Sequence, residues 1–143
     1  MDIVCRAFIF RGNKILLCKQ KKPSRDFWTL PGGSVEKGET LEECIRREMF
    51  EEIGIKLETE QMLFVRELIN PSRHRIEFYF LMKNPKDIGI LNKLKPCNEI
   101  GQAVFFDIKD LNSVVFKPDC LPELVHEIIN KTGTFPRYLG NIR

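Results

Sequence analysis

The sequence has 143 residues, of which 43% are hydrophobic and 30% are charged, and its formal net charge is +3. This length and composition predict one soluble globular domain, residues 1–143. The small positive charge can attract phosphorylated ligands but excludes the strongly basic surface of a protein that binds nucleic acid stably.

The five cysteines are scattered, at positions 5, 18, 44, 97 and 120, and form no Cys-x-x-Cys pair. An odd, scattered set predicts reduced thiols in a cytoplasmic protein and argues against a disulfide framework or a zinc site. Asp2 and Arg6 interrupt the N-terminal apolar run, so we expect no signal peptide. No stretch reaches the roughly 18 apolar residues of a membrane span, so no membrane partner is expected.

The first elements are predicted to form a β-hairpin. Residues 3–10 are apolar on both sides of an extended chain, which predicts a buried strand. Residues 11–13 are typical of a turn, and residues 14–19 are predicted to return as the second strand. Residues 19–26 then form a basic loop, which is either a solvated connection or a phosphate-facing lip that leads towards Trp28.

A helix is predicted between Thr40 and Gly54. Thr40 followed by Glu43 matches a capping box, in which the hydroxyl and the carboxylate each satisfy a free backbone N–H. Gly54 lies where a helix would end in the left-handed conformation. The apolar residues of this segment share one side at helical spacing, and they are Leu41, Cys44, Ile45 and Met49.

Carboxylates interrupt that apolar side. Glu48 and Glu52 project within about 20° of the direction of Leu41, and like charges four residues apart repel by roughly 0.2–0.5 kcal/mol. Glu51 lies beside them, and Arg47 is spaced to pair with Glu51. A bound cation would relieve the repulsion, because Mg²⁺ takes oxygen ligands and is completed by waters and substrate phosphates. The alternative is an acidic helix that faces water.

Glycines flank the loop that leads into this helix. Gly32, Gly33 and Gly38 permit close backbone approach and positive φ. The start of the helix also presents free N–H groups that can bind an anion. The loop and helix together therefore favour a site for a phosphorylated ligand and a metal ion.

Residues 33–55 resemble the Nudix box, Gly-x5-Glu-x7-Arg-Glu-U-x-Glu-Glu-x-Gly-U, in which U is a bulky aliphatic residue. Every fixed position of this 23-residue motif is matched, by Gly33, Glu39, Arg47, Glu48, Glu51, Glu52 and Gly54, with Met49 and Ile55 at the U positions. The preceding residues 28–32 also look like the usual sequence before the box.

The resemblance implies an α+β protein with the Nudix fold, an α/β/α sandwich with a central mixed β-sheet. It implies an enzyme that uses Mg²⁺ or Mn²⁺ to hydrolyse a nucleoside diphosphate linked to another group. By this likeness Glu48, Glu52 and the carbonyl of Gly32 would bind the metal. Glu51 would hold a further metal or its water, and Arg47 would orient the carboxylates.

The general base varies within the family, and two residues are candidates, Glu51 and Glu99. In position, Glu99 resembles the extra glutamate that many Nudix enzymes contribute to the metal centre from outside the box. Its alternative is an ordinary surface acid. Glu39 more often supports the loop in this family.

The rest of the chain predicts further strands and one more helix. The strands are predicted at 55–57, 62–69, 75–82 and 103–108, with a turn at 70–72. Long loops are predicted at 84–98 and after Asp110-Leu111. A helix is predicted from 118 to about 131. The tail, residues 133–143, either docks on the domain or is disordered.

The small-molecule nucleotide substrate stays open at this point. Pro71 lies 16 residues after Ile55, which looks like a mark of ADP-ribose pyrophosphatases in the family, so ADP-ribose or a nucleotide sugar comes first. Nucleoside triphosphates, including oxidised ones, come second and dinucleoside polyphosphates third, and a non-catalytic nucleotide sensor is the alternative of another class. Trp28 and Arg73 are candidate substrate-binding residues, although Arg73 also suits a charged hairpin tip. Family resemblance also suggests a homodimer.

Overall fold

A computed structural model describes residues 1–20, 27–83 and 100–143. Within these ranges the strands are β1 Asp2–Phe8, β2 Phe10–Arg11, β3 Lys14–Gln20, β4 Trp28–Thr29, β5 Gly32–Ser34, β6 Thr59–Asn70, β7 Arg73–Met82, β8 Ile100–Asp107, β9 Phe116–Lys117 and β10 Arg137–Asn141. The α-helices are α1 Leu41–Ile53 and α2 Leu121–Asn130, and a 3₁₀ helix spans Ile108–Ser113. Glu99, the loop predicted at 84–98 and positions 21–26 of the basic loop lie outside the described residues.

The centre of the fold is a mixed five-stranded sheet with the order β10-β6-β7-β1-β5. In it β1 runs parallel to β7 and antiparallel to β5, and β10 runs parallel to β6. A second sheet has the order β2-β3-β4-β9, with β8 also paired to β3. The tail, for which the sequence left docking and disorder open, therefore docks as an edge strand.

Apolar cores cover both faces of the mixed sheet. On one face, α1 packs its buried residues against β1 and the end of β7. On the other face, α2 contributes to a second core that includes Phe8 and Tyr79. A mixed sheet between two helices is the α+β layered arrangement that the sequence predicted. Among the described residues, no helix has the length and apolarity that a bilayer-spanning segment requires.

Local sequence fixes the ends of α1. The Thr40 hydroxyl accepts a hydrogen bond from the Glu43 N–H at 3.1 Å, and the Glu43 carboxylate accepts one from the Thr40 N–H at 2.8 Å. Gly54 ends the helix with a left-handed φ of 75°. The predicted capping box and glycine stop are therefore both confirmed.

Several predicted elements differ from the structure. Of the hairpin predicted at 3–19, only Phe10–Arg11 pairs with β3, whereas β1 pairs with β5 and β7. Residues 55–57 form no strand, although Ile55 and Leu57 are buried in the core beneath α1, and the strand begins at Thr59. Their alternation reflected burial of an irregular segment and not sheet pairing. The loop predicted after Asp110-Leu111 is shorter than expected, because a 3₁₀ helix that buries Leu111 continues to Ser113.

Candidate active site on α1 and the adjoining cavity

Glu52 is the most deeply buried carboxylate of α1. Only 4% of it is exposed, and its Oε2 accepts a hydrogen bond from the Gly32 N–H at 3.2 Å. Gly32 lies on the edge strand β5 with a φ of +153°, and a Cβ there would lie 1.9 Å from the Cys5 carbonyl oxygen. Only glycine therefore lets β5 come close enough to β1 and to Glu52.

Glu48 lies one helical turn earlier and faces the next glycine. Its side chain is 12% exposed, and a Cβ on Gly33 would lie 2.3–2.5 Å from its carboxylate atoms. The absence of a side chain at Gly33 thus leaves the space that the carboxylate fills. The structure thus brings the Glu48 and Glu52 carboxylates close to the backbone of the glycine pair. Glu48, Glu52 and Gly32 are the residues that the family resemblance assigned to the metal.

Arg47 links the carboxylates of the box. Its guanidinium donates to Glu39 at 2.6 and 3.0 Å, to Glu48 at 2.8 Å and to Glu51 at 3.2 Å. It also donates to the carbonyl of Ser34 at 3.0 Å. The hydrogen bond that Arg47 donates to Glu39 raises the pKa of Arg47 and lowers the pKa of Glu39. We call these four charged residues, together with Glu52, the Arg47 cluster.

The Arg47 cluster contains more negative than positive charge. The guanidinium donates hydrogen bonds to three carboxylates and lies 3.7 Å from a fourth, that of Glu36, and Glu52 adds a further negative charge. Residues 1–20, 27–83 and 100–143 contain no ready-made group of three or more His, Cys, Asp or Glu ligands around one position. The donors nonetheless fit Mg²⁺, which is usually held by one or two carboxylates and completed by waters and substrate phosphates. Glu51 is the outermost member, with 55% of its side chain exposed.

A cavity of about 550 Å³ lies on the other side of the mixed sheet, within the usual size range of ligand sites. Side chains alternate along β1, so Cys5 and Ala7 face α1 while Arg6 lines the cavity. The cavity adjoins the glycine pair, because Arg6 pairs with Gly32 in the register of β1 and β5 and donates to the Leu30 carbonyl at 3.2 Å.

Cations dominate the cavity. They are Arg6, Arg66, Arg73, Arg75, Lys117 and Arg143. Arg73, a predicted substrate-binding residue, is thus placed at the cavity. Trp28, the other one, does not line it: the flanking Phe27 and Thr29 do, while the Trp28 ring packs edge-on against Phe106 with ring centroids 4.8 Å apart.

One carboxylate, Glu77, lies among these cations and is 1% exposed. Arg6 donates to it at 2.9 Å, Arg66 donates through both Nε and Nη2, and the Tyr79 hydroxyl donates at 3.3 Å. Burial raises the pKa of Glu77, but the charges and hydrogen bonds of Arg6 and Arg66 outweigh it and lower the pKa to about 2. We call Arg6, Arg66, Arg75 and Glu77 the Glu77 cluster.

The sequence reasoning missed the Glu77 cluster, although one signal was available. With a turn between Asn70 and Arg73, Arg66 falls directly opposite Glu77 in the hairpin. Opposite charges at such cross-strand positions stabilise a sheet. The predicted turn therefore already implied this pair, but its burial depended on β1 and on the second sheet.

A family model described as NUDIX domain matches residues 3–124. The ADP-ribose pyrophosphatase of Methanocaldococcus jannaschii is 37% identical over 111 residues, which are 76% of this chain and 63% of that protein. The human 8-oxo-dGDP phosphatase NUDT18 is 38% identical over 106 residues, which are 73% of this chain and 31% of that protein.

Solved structures give the same picture. A UDP-X diphosphatase is 25% identical with a TM-score of 0.76, and the match covers 96% of this chain and 66% of that one. A NUDIX hydrolase from Nitrosomonas europaea is also 25% identical with a TM-score of 0.76, covering 98% and 79% of the two chains. The chain spans 63% of the length of the archaeal relative and 31% of that of the human one.

Proposed function

Because the chain belongs to the Nudix family, we propose that it is a Mg²⁺-dependent pyrophosphohydrolase. Its substrate would be a nucleoside diphosphate linked to another group, with ADP-ribose or a nucleotide sugar as the first choice. The names of the archaeal ADP-ribose pyrophosphatase and of the UDP-X diphosphatase support this substrate class. The packing of both cores on one sheet supports a single domain over residues 1–143.

The observation that carries the proposal is the buried Glu52 carboxylate held against the Gly32 backbone, with Glu48 beside it. A buried carboxylate among like charges is costly unless a cation compensates it. We assign Glu48, Glu52 and the Gly32 carbonyl to the metal. When bound, Mg²⁺ or Mn²⁺ would neutralise the diphosphate and lower the pKa of an attacking water.

The remaining charged residues of the Arg47 cluster would place the reacting groups. Glu51 is exposed and takes a proton from the attacking water in our proposal, because a carboxylate bound to metal is a poorer base. Glu99 is the second candidate for this role. Arg47 is a positioning residue, since its contacts fix the directions of Glu48 and Glu51.

A nucleoside triphosphate pyrophosphohydrolase is the second candidate function. The nucleoside triphosphatase NudI of Enterobacter sp. favours it, being 46% identical over 59 residues, which are 39% of this chain and 41% of that protein. A binding-only sensor is disfavoured, because every acidic position of the box carries its glutamate.

A product screen tests the proposal. The protein is incubated with ADP-ribose, UDP-sugars and nucleoside triphosphates, with Mg²⁺ or with EDTA, and products are separated by anion-exchange chromatography. We expect two phosphomonoesters from ADP-ribose with Mg²⁺ and none with EDTA. Release of pyrophosphate from triphosphates alone would select the second function, and no product from any substrate would contradict both.

A further inference from the structure

We propose that the cavity lined by the Glu77 cluster binds a phosphate group that the reaction does not cleave. The preferred substrate would then be a nucleoside diphosphate derivative with an additional phosphate monoester. The inference rests on the proposed function for the cleavage step, but the phosphate site itself can be tested without catalysis.

The charges inside the cavity do not cancel. Arg6, Arg66 and Arg75 contribute three guanidiniums, and Glu77 is the carboxylate among the described residues that line the cavity. Two of the other cations have partners at the rim, because Arg73 pairs with Asp2 at 3.3 Å and Lys117 with Asp119 at 2.8 Å. The interior thus has two positive charges more than negative ones, and a phosphate monoester brings about −1.5 to −2 at pH 7.

Hydrogen bonding indicates the same ligand. Glu77 already accepts from Arg6, Arg66 and Tyr79, so its oxygens have little capacity left. The Nη1 of Arg66, a residue that is 4% exposed, and the Nε of Arg75 are buried with no hydrogen-bond partner in the described part of the chain. Unpaired buried guanidinium nitrogens are costly, and an oxyanion in the cavity would pair them.

Phosphate fits better than a neutral base or sugar. Guanidiniums bind phosphate in a planar, two-pronged geometry, and several of them around one group are typical of phosphate recognition. Burial lowers the pKa of Arg75, and the Glu77 carboxylate only partly opposes this effect. A second anion beside Arg75 would remove that penalty, whereas an uncharged ring would increase it.

The position of the cavity connects it to the cleavage site. Arg6 lies opposite Gly32 in the sheet register, and Gly32 donates to Glu52. A diphosphate held at the glycine pair therefore has the Arg47 cluster on one side of β5 and the Glu77 cluster on the other. One end of an extended substrate can enter the cavity while its diphosphate stays at the carboxylates.

Inorganic phosphate is the direct probe of this site. We would titrate the full chain with phosphate by calorimetry in EDTA, so that no metal ion holds the anion at the Arg47 cluster. Wild type and Glu52→Gln should bind one phosphate with equal affinity, and Arg75→Gln should bind at least about tenfold more weakly. No saturable binding by the wild type, or unchanged affinity in Arg75→Gln, would overturn the proposal.

Two further variants test whether the weaker phosphate binding of Arg75→Gln is caused by an effect on folding. Arg75→Lys keeps the charge but loses the two-pronged geometry, and it should bind phosphate more tightly than Arg75→Gln but more weakly than the wild type. Arg46→Gln makes the same change as Arg75→Gln at an exposed arginine of α1, which pairs with Glu58 at 3.4 Å, and should bind phosphate as the wild type does. Equal losses in Arg46→Gln and Arg75→Gln would also overturn the proposal.

Matched substrates test the link to catalysis. With Mg²⁺, kcat/KM is measured for ADP-ribose against its 2′-phosphate, and for NADH against NADPH. In at least one pair the wild type should favour the phosphorylated member by about tenfold, and Arg75→Gln should abolish that preference, whereas Arg46→Gln should retain it. Hydrolysis without preference in either pair would overturn this inference and leave the proposed function intact. Phosphate binding without hydrolysis of any substrate would support the phosphate site and contradict the proposed function.

Discussion

On one face of the mixed sheet a single arginine donates hydrogen bonds to three carboxylates, whereas on the other face a single carboxylate lies among three arginines. The Arg47 cluster is partly open to solvent, and more than half of the Glu51 side chain is exposed. The centre of the Glu77 cluster is more deeply buried, because both Glu77 and Arg66 are under 5% exposed. The two clusters thus have opposite charge and different access to water.

The difference shows how an imbalance of charge indicates a ligand. In the Arg47 cluster, water can solvate the exposed Glu51, so the proposed cation would act mainly on Glu48 and Glu52, which are little exposed. The interior of the Glu77 cluster is withdrawn from solvent, where an uncompensated charge is far more costly. The sign of each excess therefore predicts a cation on one face and an anion on the other.

The largest effect should come from removing the charge of Glu52. Glu52→Gln keeps the shape of the side chain but loses a ligand charge, so we expect kcat/KM to fall at least about 1,000-fold at ordinary Mg²⁺ concentrations, which is about 4 kcal/mol of transition-state stabilisation. The measurement is the initial rate with the best substrate of the screen.

Glu42→Gln is the matched control for this change. Glu42 lies on the same helix but is exposed, so this variant should keep its activity within about twofold. Near-normal turnover of Glu52→Gln would remove Glu52 from the metal centre and would break the assignment of the Arg47 cluster to a cation.

Acid should destabilise the protein in part through the Glu77 cluster. The pKa of Glu77 is about 2 in the folded protein against an ordinary value of 4.5, so the folded state binds fewer protons than the unfolded state. The stabilisation is complete above about pH 4.5 and is lost as the pH falls towards 2, by roughly 3 kcal/mol in total. Urea unfolding of the wild type at steps between pH 5 and 2 measures this loss.

The Glu77→Gln variant tests whether Glu77 causes the loss of stability in acid. It should be less stable than the wild type at pH 5, because Arg6 and Arg66 lose their anionic partner, and it should lack the part of the acid dependence that Glu77 causes. If both proteins lost stability equally between pH 4.5 and 2, Glu77 would not be the group responsible.

The two clusters also differ in how far the sequence predicted them. The Arg47 cluster depends on one helix and the loop before it, so helical spacing predicted the shared side of Glu48 and Glu52 and the pairing of Arg47 with Glu51. The contacts of Arg47 with Glu39 and Glu48 were not predicted. The Glu77 cluster joins Arg6 to Glu77, 71 residues apart, and its burial requires the second sheet. No local sequence pattern shows which distant strands will bury these residues. The strand predicted at 55–57 was wrong because its apolar alternation likewise did not show what the segment packs against.

The smallest predicted effect comes from Arg47→Lys, which keeps the charge of the Arg47 cluster but loses its geometry. A lysine ammonium is a point charge and cannot contact Glu39, Glu48, Glu51 and the Ser34 carbonyl together, as the guanidinium does. Because partners that orient metal ligands are typically worth 10–100-fold, we expect kcat/KM and the apparent Mg²⁺ affinity both to fall by about that factor.

The neighbouring Arg46→Lys variant separates this positioning role from general stability. Arg46 makes one exposed ion pair with Glu58, and such pairs contribute about 0–1 kcal/mol, so the variant should match the wild type in Mg²⁺ titrations of activity. A purely structural role of Arg47 would lower the thermal midpoint of Arg47→Lys without changing its Mg²⁺ dependence. That result would show that the excess of carboxylates on this face, and not their arrangement by Arg47, is sufficient to hold the cation.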